Sequence, residues 1–155
     1  MREIVKVPNP ILQTVSRPIE NIDVLVKDVA EEMLLLLGSV SRIPCLGLAA
    51  VQLGEPIRLI AVMWNMYSRD FRAPVIIVNP EIIKRSDKMV ESREGCLSIG
   101  DGSTLFTVKR YKQVKVKGLD LNGKPVAYKE RGLPGFALQH EIDHLDGRLV
   151  SDVKQ

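Results

Sequence analysis

His140-Glu141-Ile142-Asp143-His144 holds both histidines of the chain in one short run. On an α-helix, residues four apart lie one above the other on the same face, so the two imidazoles can grip a single metal ion with Glu141 beside it. The run therefore predicts a metal-binding helix near the C-terminus. Its start is expected near Pro134, a residue accepted in a first helical turn, and its end at Gly147. An amphipathic helix that carries two histidines by chance is the bland alternative; the lack of any other histidine weighs against it.

A hydrolytic site of this kind uses three protein ligands and leaves a position for water. The residues after His144 include neither histidine nor glutamate, and Asp146 and Asp152 lie too near to fold back easily, which excludes the long-range third ligands of the common metalloproteases. Upstream, Glu94-Gly95-Cys96-Leu97-Ser98 offers a soft thiolate beside a glycine that permits close backbone approach. Cys96 as a small buried hydrophobe is the competing reading. A Cys-His-His set suits iron, zinc, nickel or cobalt. A further segment, Cys45 to Gly54, is apolar and rich in small residues, with one amide, Gln52. It reads either as a packed loop or strand edge, or as a wall where backbone pairs with an extended peptide and an amide donates to a developing oxyanion.

Working outward, Asp23 is a good N-cap for a helix whose stripe comprises Val24, Leu25, Val26, Val29, Ala30, Met33, Leu34 and Leu37, with Gly38 as its stop. The prolines between Val7 and Pro18 predict an irregular N-terminal arm. Ile57 to Met63 and Val75 to Val78 are short β-branched apolar runs and read as strands. Val114 and Val116 alternate with polar residues, and Asn122-Gly123 turns the chain into Val126-Ala127-Tyr128, a hairpin with one wet face. Strands between two helices, without β-α-β alternation, give an α+β class: antiparallel strands packed around a C-terminal metal-binding helix, with an N-terminal amphipathic helix.

The 155 residues, 45% of them hydrophobic, are expected to form one domain, residues 1–155. The two widely separated cysteines argue against a disulfide scaffold, and no signal-peptide pattern is present, so a reducing cytoplasm is expected. The longest apolar run, Met33 to Leu37, is too short to span a bilayer. A net charge of +3 and 5% aromatic residues give no base-stacking surface, so no specific nucleic acid is expected. Lys109, Arg110, Lys112, Lys115 and Lys117 read as a solvated strand face, with weak ribosome association as the alternative. Gly118-x-x-x-x-Gly123-Lys124 mimics a phosphate loop, but Pro125 stands where a hydroxyl residue is required. Asp143 reads as orienting a histidine or as a surface salt bridge.

Leu46 to Gln52, Glu94 to Ser98 and Gln139 to His144 together resemble the three signature segments of the peptide deformylases, in the family's order and at similar separations. The stretches Pro8 to Leu12 and Leu119 to Lys124 extend the likeness over nearly the whole chain. The resemblance implies that Cys96, His140 and His144 bind the metal, ferrous iron in most of this family, with a water at the fourth position. It implies that Glu141 is the general base that deprotonates this water for attack on the formyl carbon of an N-formylmethionyl peptide. The Gln52 amide and the Leu97 backbone N–H match the family's oxyanion donors. Gly47 and Gly95 match backbone positions that line the substrate; Leu46, Leu133, Phe136 and Ala137 match an apolar pocket for the methionine side chain. The partners implied are N-formylmethionyl peptides and nascent chains.

This chain departs from the family at Cys45, where a glycine is usual, and at Gly100-Asp101-Gly102-Ser103, where a proline and later an arginine often follow. The sequence ends soon after the metal helix, so docking on the ribosome through the longer C-terminal helix of some relatives is not expected. If Cys45 lies near the metal, oxidation is expected to couple it to Cys96 and eject the ion. Three other readings compete: a Cys-His hydrolase with Cys96 as nucleophile, a divergent deformylase-like protein with an altered acyl substrate, and a non-catalytic, metal-stabilised peptide binder. Retention of Glu141 and Gln52 disfavours the last, since a structural site needs neither a base nor an oxyanion donor.

Overall fold

A computed structural model describes residues 1–39, 46–64 and 73–153. Two of its strands explain why the sequence alternates in some places and runs apolar in others. Strand β2 (Leu59–Val62) is buried at every position because Leu59 and Ala61 face one hydrophobic cluster while Ile60 and Val62 face another. A strand covered on both faces has no wet side to encode, hence the continuous apolar run. By contrast, β6 (Gln113–Leu119) buries Val114 and Val116 and exposes Lys115 and Lys117. One side of it packs on the core and the other meets water.

The helix α1 (Val24–Ser39) covers the first face of the sheet. Asp23 caps it, its Oδ1 accepting the Val26 N–H at 3.0 Å, which satisfies a donor the first turn would otherwise leave orphaned. The buried face is Val26, Val29, Ala30, Met33 and Leu37. Val24 and Leu25 are exposed instead, and Gly38 lies within the helix, which ends at Ser39. The sequence stripe is thus broader than the face that packs.

Antiparallel pairing gives a five-stranded sheet in the order β1-β2-β3-β6-β7, where β1 is Gly47–Ala49, β3 Val75–Arg85 and β7 Pro125–Arg131. The expected hairpin is β6–β7. Gly123 adopts φ +78°, and Asp120 Oδ1 accepts the N–H groups of Asn122 and Lys124. A second, two-stranded ribbon, β4 (Met89–Glu94) with β5 (Phe106–Tyr111), was not anticipated from the sequence. The helix α2 (Gly132–Leu145) packs on the second face of the sheet through Ala137, Leu138, Ile142 and Leu145. It starts two residues before Pro134, with Gly132 at φ +65°, and Gly147 at φ +75° lies just past its end, as expected. The N-terminal arm carries a short 3-10 turn (Pro10–Gln13) and is otherwise irregular, with an isolated bridge from Arg17 to Ile57, two residues before β2. No helix among the described residues is long and apolar enough to cross a membrane.

Candidate metal centre

The stripe Leu133, Phe136, Ala137, His140, Glu141, His144 follows the i, i+3, i+4 spacing of one helix face, so α2 presents the histidines and the glutamate in register. Cys96 enters from the turn that follows β4. Its Sγ lies 3.4 Å from His144 Nε2, and one ligand atom from each of Cys96, His140 and His144 falls within 4.8 Å of the others. All three side chains are buried. A dry site where one sulfur and two ring nitrogens converge, with the imidazoles edge to face and 5.1 Å apart, has the donor set and closeness that a divalent ion requires. These residues fit a metal.

A second layer orients the ligands. Glu94 Oε1 lies 2.9 Å from His140 Nδ1, which leaves the other ring nitrogen for the site. Glu94 is in turn gripped by Arg110, whose Nη2 and Nε donate to its carboxylate at 2.7 and 3.0 Å. The same guanidinium donates through Nη1 to Asp143, and Arg148 donates to the other Asp143 oxygen at 2.8 Å. Burial pushes the Glu94 carboxyl up, but the hydrogen bonds from His140 and Arg110 outweigh it and hold the pKa at about 2. Arg110 is 4% exposed, so its reading as part of a solvated strand face is corrected. It shares with Val108 the inward face of β5, while Lys109 points out, a period-2 signal that the charge obscured. Asp143 has no hydrogen bond to a histidine among the described residues; it bridges the buried Arg110 and the exposed Arg148, so the salt bridge expected at the surface reaches inward to the arginine clamp.

Glu141 is 4% exposed, and its Oε2 has no hydrogen-bond partner among the described residues. Burial raises its carboxyl to about 7, although the neighbouring His140 pulls the other way. Gly47 gives the carboxylate room, because a Cβ there would sit 2.6 Å from both Glu141 Cγ and Oε1. Gly47→Ala is therefore expected to push Glu141 aside and lower turnover by roughly 10²-fold, the scale of an ångström-sized misplacement, with metal content unchanged. Parallel turnover and metal analyses check this, and an unimpaired variant would refute it.

Gln52 is buried, and its orientation is set at both ends. Its Oε1 accepts the Ala49 N–H at 2.9 Å, so the amide nitrogen points toward Ser98 Oγ at 3.1 Å and Cys96 Sγ at 3.8 Å. Its donor group thus faces the metal-ligand cluster. Ser98, fully buried, was given no role by the sequence reading. Leu97 immediately follows Cys96 on the same turn. The expected substrate residues divide. Leu46 and Ala137 belong to the core cluster under α2, whereas Leu133 and Phe136 line a cleft of about 430 Å³ with Val90, Lys112, Arg131 and Pro134. At Gly95 a side chain would strike the Gly102 carbonyl, so the turn itself already demands glycine there. Cys45 lies outside the described residues, and with it the expected coupling to Cys96.

A buried thiol-imidazole-imidazole cluster with an adjoining carboxylate, on a helix packed against antiparallel sheet, defines a metal-dependent hydrolase. The polypeptide deformylase family model matches residues 1–155, and the chain belongs to that family, whose members remove the formyl group from formylated nascent peptides. A peptide deformylase of Bartonella tribocorum is 39% identical over 153 residues, covering 98% of this chain and 83% of the relative. The crystal structure of a peptide deformylase from Legionella pneumophila superposes with a TM-score of 0.86 at 33% identity, covering 100% of this chain and 86% of that one. A class I type b peptide deformylase from Acinetobacter baumannii, solved with Met-Ala-Ser bound, gives 0.87 at 30% identity, covering 99% and 98%.

Proposed function

We propose that residues 1–155 act as one catalytic domain that holds ferrous iron on Cys96, His140 and His144 and deformylates N-formylmethionyl peptides in the cytoplasm. The observation that carries this is the buried Glu141 carboxylate beside the three converging ligands, its Oε2 without a hydrogen-bond partner among the described residues. An ion held by Cys96, His140 and His144 would supply Lewis acidity, which would lower the pKa of water and favour attack on the formyl carbon. Glu141 accepts the proton of the attacking water, since a carboxyl near neutrality both takes and releases one readily. The oxyanion that develops on the formyl oxygen is met by the Gln52 amide and the Leu97 N–H. Glu141 then returns the proton to the leaving amine, and formate departs.

Gly47 starts the edge strand β1, so an extended peptide can add alongside it by main-chain hydrogen bonds, with the Gly95 backbone also lining it and the methionine side chain between the cleft residues Leu133 and Phe136 and the more buried Leu46 and Ala137. The Met-Ala-Ser ligand of the Acinetobacter relative supports a substrate of that length and start. The test is formate release from formyl-Met-Ala-Ser by protein loaded anaerobically with ferrous iron. Multiple turnover is expected, and no release from fully metallated protein would move the assignment to another acyl group or to peptide binding.

A further inference from the structure

The N-terminal arm grips both backbones that carry the oxyanion donors. The Val5 N–H donates to the Gln52 carbonyl at 2.8 Å, and the Val7 N–H donates to the Ser98 carbonyl at 2.9 Å. Between them, the Lys6 ammonium donates to the carbonyls of Leu97 at 2.5 Å and Gly100 at 2.8 Å. An exposed lysine normally stays in water, yet here two of its three donors are directed to backbone oxygens more than ninety residues away in sequence.

The turn from Cys96 to Gly102 needs such a restraint. Gly100 and Gly102 occupy φ +60° and +85°, and glycines leave a turn many alternative conformations. Its own hydrogen bonds are Ile99 N–H to Cys96 C=O at 2.9 Å and Gly102 N–H to Ile99 C=O at 3.0 Å. The first polarises the peptide unit that bears the Leu97 N–H, in the direction that strengthens it as a donor. The bonds from Lys6 fix the Leu97–Ser98 and Gly100–Asp101 peptide units, which flank Ser98, Ile99 and Gly100. The nearby Asp101 carboxylate accepts the Ser103 N–H and hydroxyl through Oδ1, and the Lys6 charge acts on it from a distance while the ammonium donates to the two carbonyls.

We infer that Lys6 is a positioning residue for deformylation: it holds the Cys96–Gly102 turn so that the Leu97 N–H points at the developing oxyanion. This rests on the proposed role of Leu97 and Gln52 as oxyanion donors. Because water competes for an exposed ammonium, the bonds contribute little to global stability. Their effect falls on geometry, which a thermal melt does not register.

The test compares Lys6→Met, Lys6→Arg and Gln52→Ala with the parent, all as metal-loaded full-length protein acting on formyl-Met-Ala-Ser. Lys6→Met is expected to lower kcat about tenfold, a fraction of the penalty for an ångström-scale misplacement, with KM, metal content and Tm close to the parent's. Amide exchange between Leu97 and Gly102 should quicken. Lys6→Arg should recover most of the kcat, since a guanidinium also donates to two carbonyls. A Lys6→Met kcat within about twofold of the parent overturns the inference, as does a loss that tracks falling metal content or falling Tm. If Gln52→Ala also leaves kcat intact, the oxyanion assignment itself fails. If only Gln52→Ala is impaired, that assignment stands and the role of Lys6 alone is withdrawn.

Discussion

Glu141→Ala is expected to lower formate release by roughly 10²–10⁴-fold while the protein keeps its metal, since proton transfer by a positioned side chain contributes on that scale. Three observations support a loss so specific. Glu141 is not among the converging ligand atoms, so removing it leaves the Cys96, His140 and His144 set intact. Its Oε2 lacks any protein partner among the described residues, so no structural hydrogen bond depends on that oxygen. Burial has pushed the carboxyl to about 7, where both its protonated and its ionised form are accessible near neutral pH, as a group that takes and returns a proton requires. Glu141→Gln is the sharper companion, because it keeps the volume against Gly47 and removes only the basicity. Metal analysis and turnover on the same samples decide the matter: full activity in a metallated Glu141→Ala protein would remove Glu141 from the mechanism.

The parts of the molecule legible in the sequence are those whose signal is local. Asp23 and the apolar spacing through Leu37 announce α1, Asn122-Gly123 announces the hairpin, and the four-residue histidine spacing announces both a helix and its chemistry. The β4–β5 ribbon escaped for a physical reason. Its inward positions include Ser92 and Arg110, so the alternation that marks a strand is present in burial but not in hydrophobicity. Likewise, the partnership of Cys96 and Gln52 with the histidines depends on pairings across the sheet that no spacing along the chain encodes. Residue chemistry offered Cys96 as a third ligand and Gln52 as an oxyanion donor only beside bland alternatives, and the joint resemblance of three segments tied them to the histidines. Glu94, Arg110 and Asp143 were hidden by their charge, because such residues are almost never fully buried unless paired, and pairing is a property of the fold.

That buried pairing sets the second large effect. Arg110→Met is expected to destabilise the protein by about 3–5 kcal/mol, the scale for removing one partner of a buried ionic network, as measured by urea unfolding of variant and parent. Arg110 is the hinge of the network: it is 4% exposed and donates to Glu94 through two nitrogens and to Asp143 through a third. Methionine fills similar space but offers no donor, which among the described residues leaves Glu94 with His140 and Asp143 with the half-exposed Arg148. The desolvation of two carboxylates is then offset by little. The damage reaches the chemistry as well, because Glu94 is the group that fixes the His140 ring. Looser metal retention should accompany the lost stability. Replacing the clamp as a whole separates charge from packing: Arg110→Met combined with Asp143→Leu and Glu94→Gln should recover much of the unfolding free energy, since apolar groups of matched volume can substitute for a buried ionic cluster. It should not recover tight metal binding, because a glutamine amide polarises His140 less than a carboxylate does. A single Arg110→Met variant that unfolds within about 1 kcal/mol of the parent, the scale of an exposed ion pair, would show that the clamp behaves as a surface pair despite its burial.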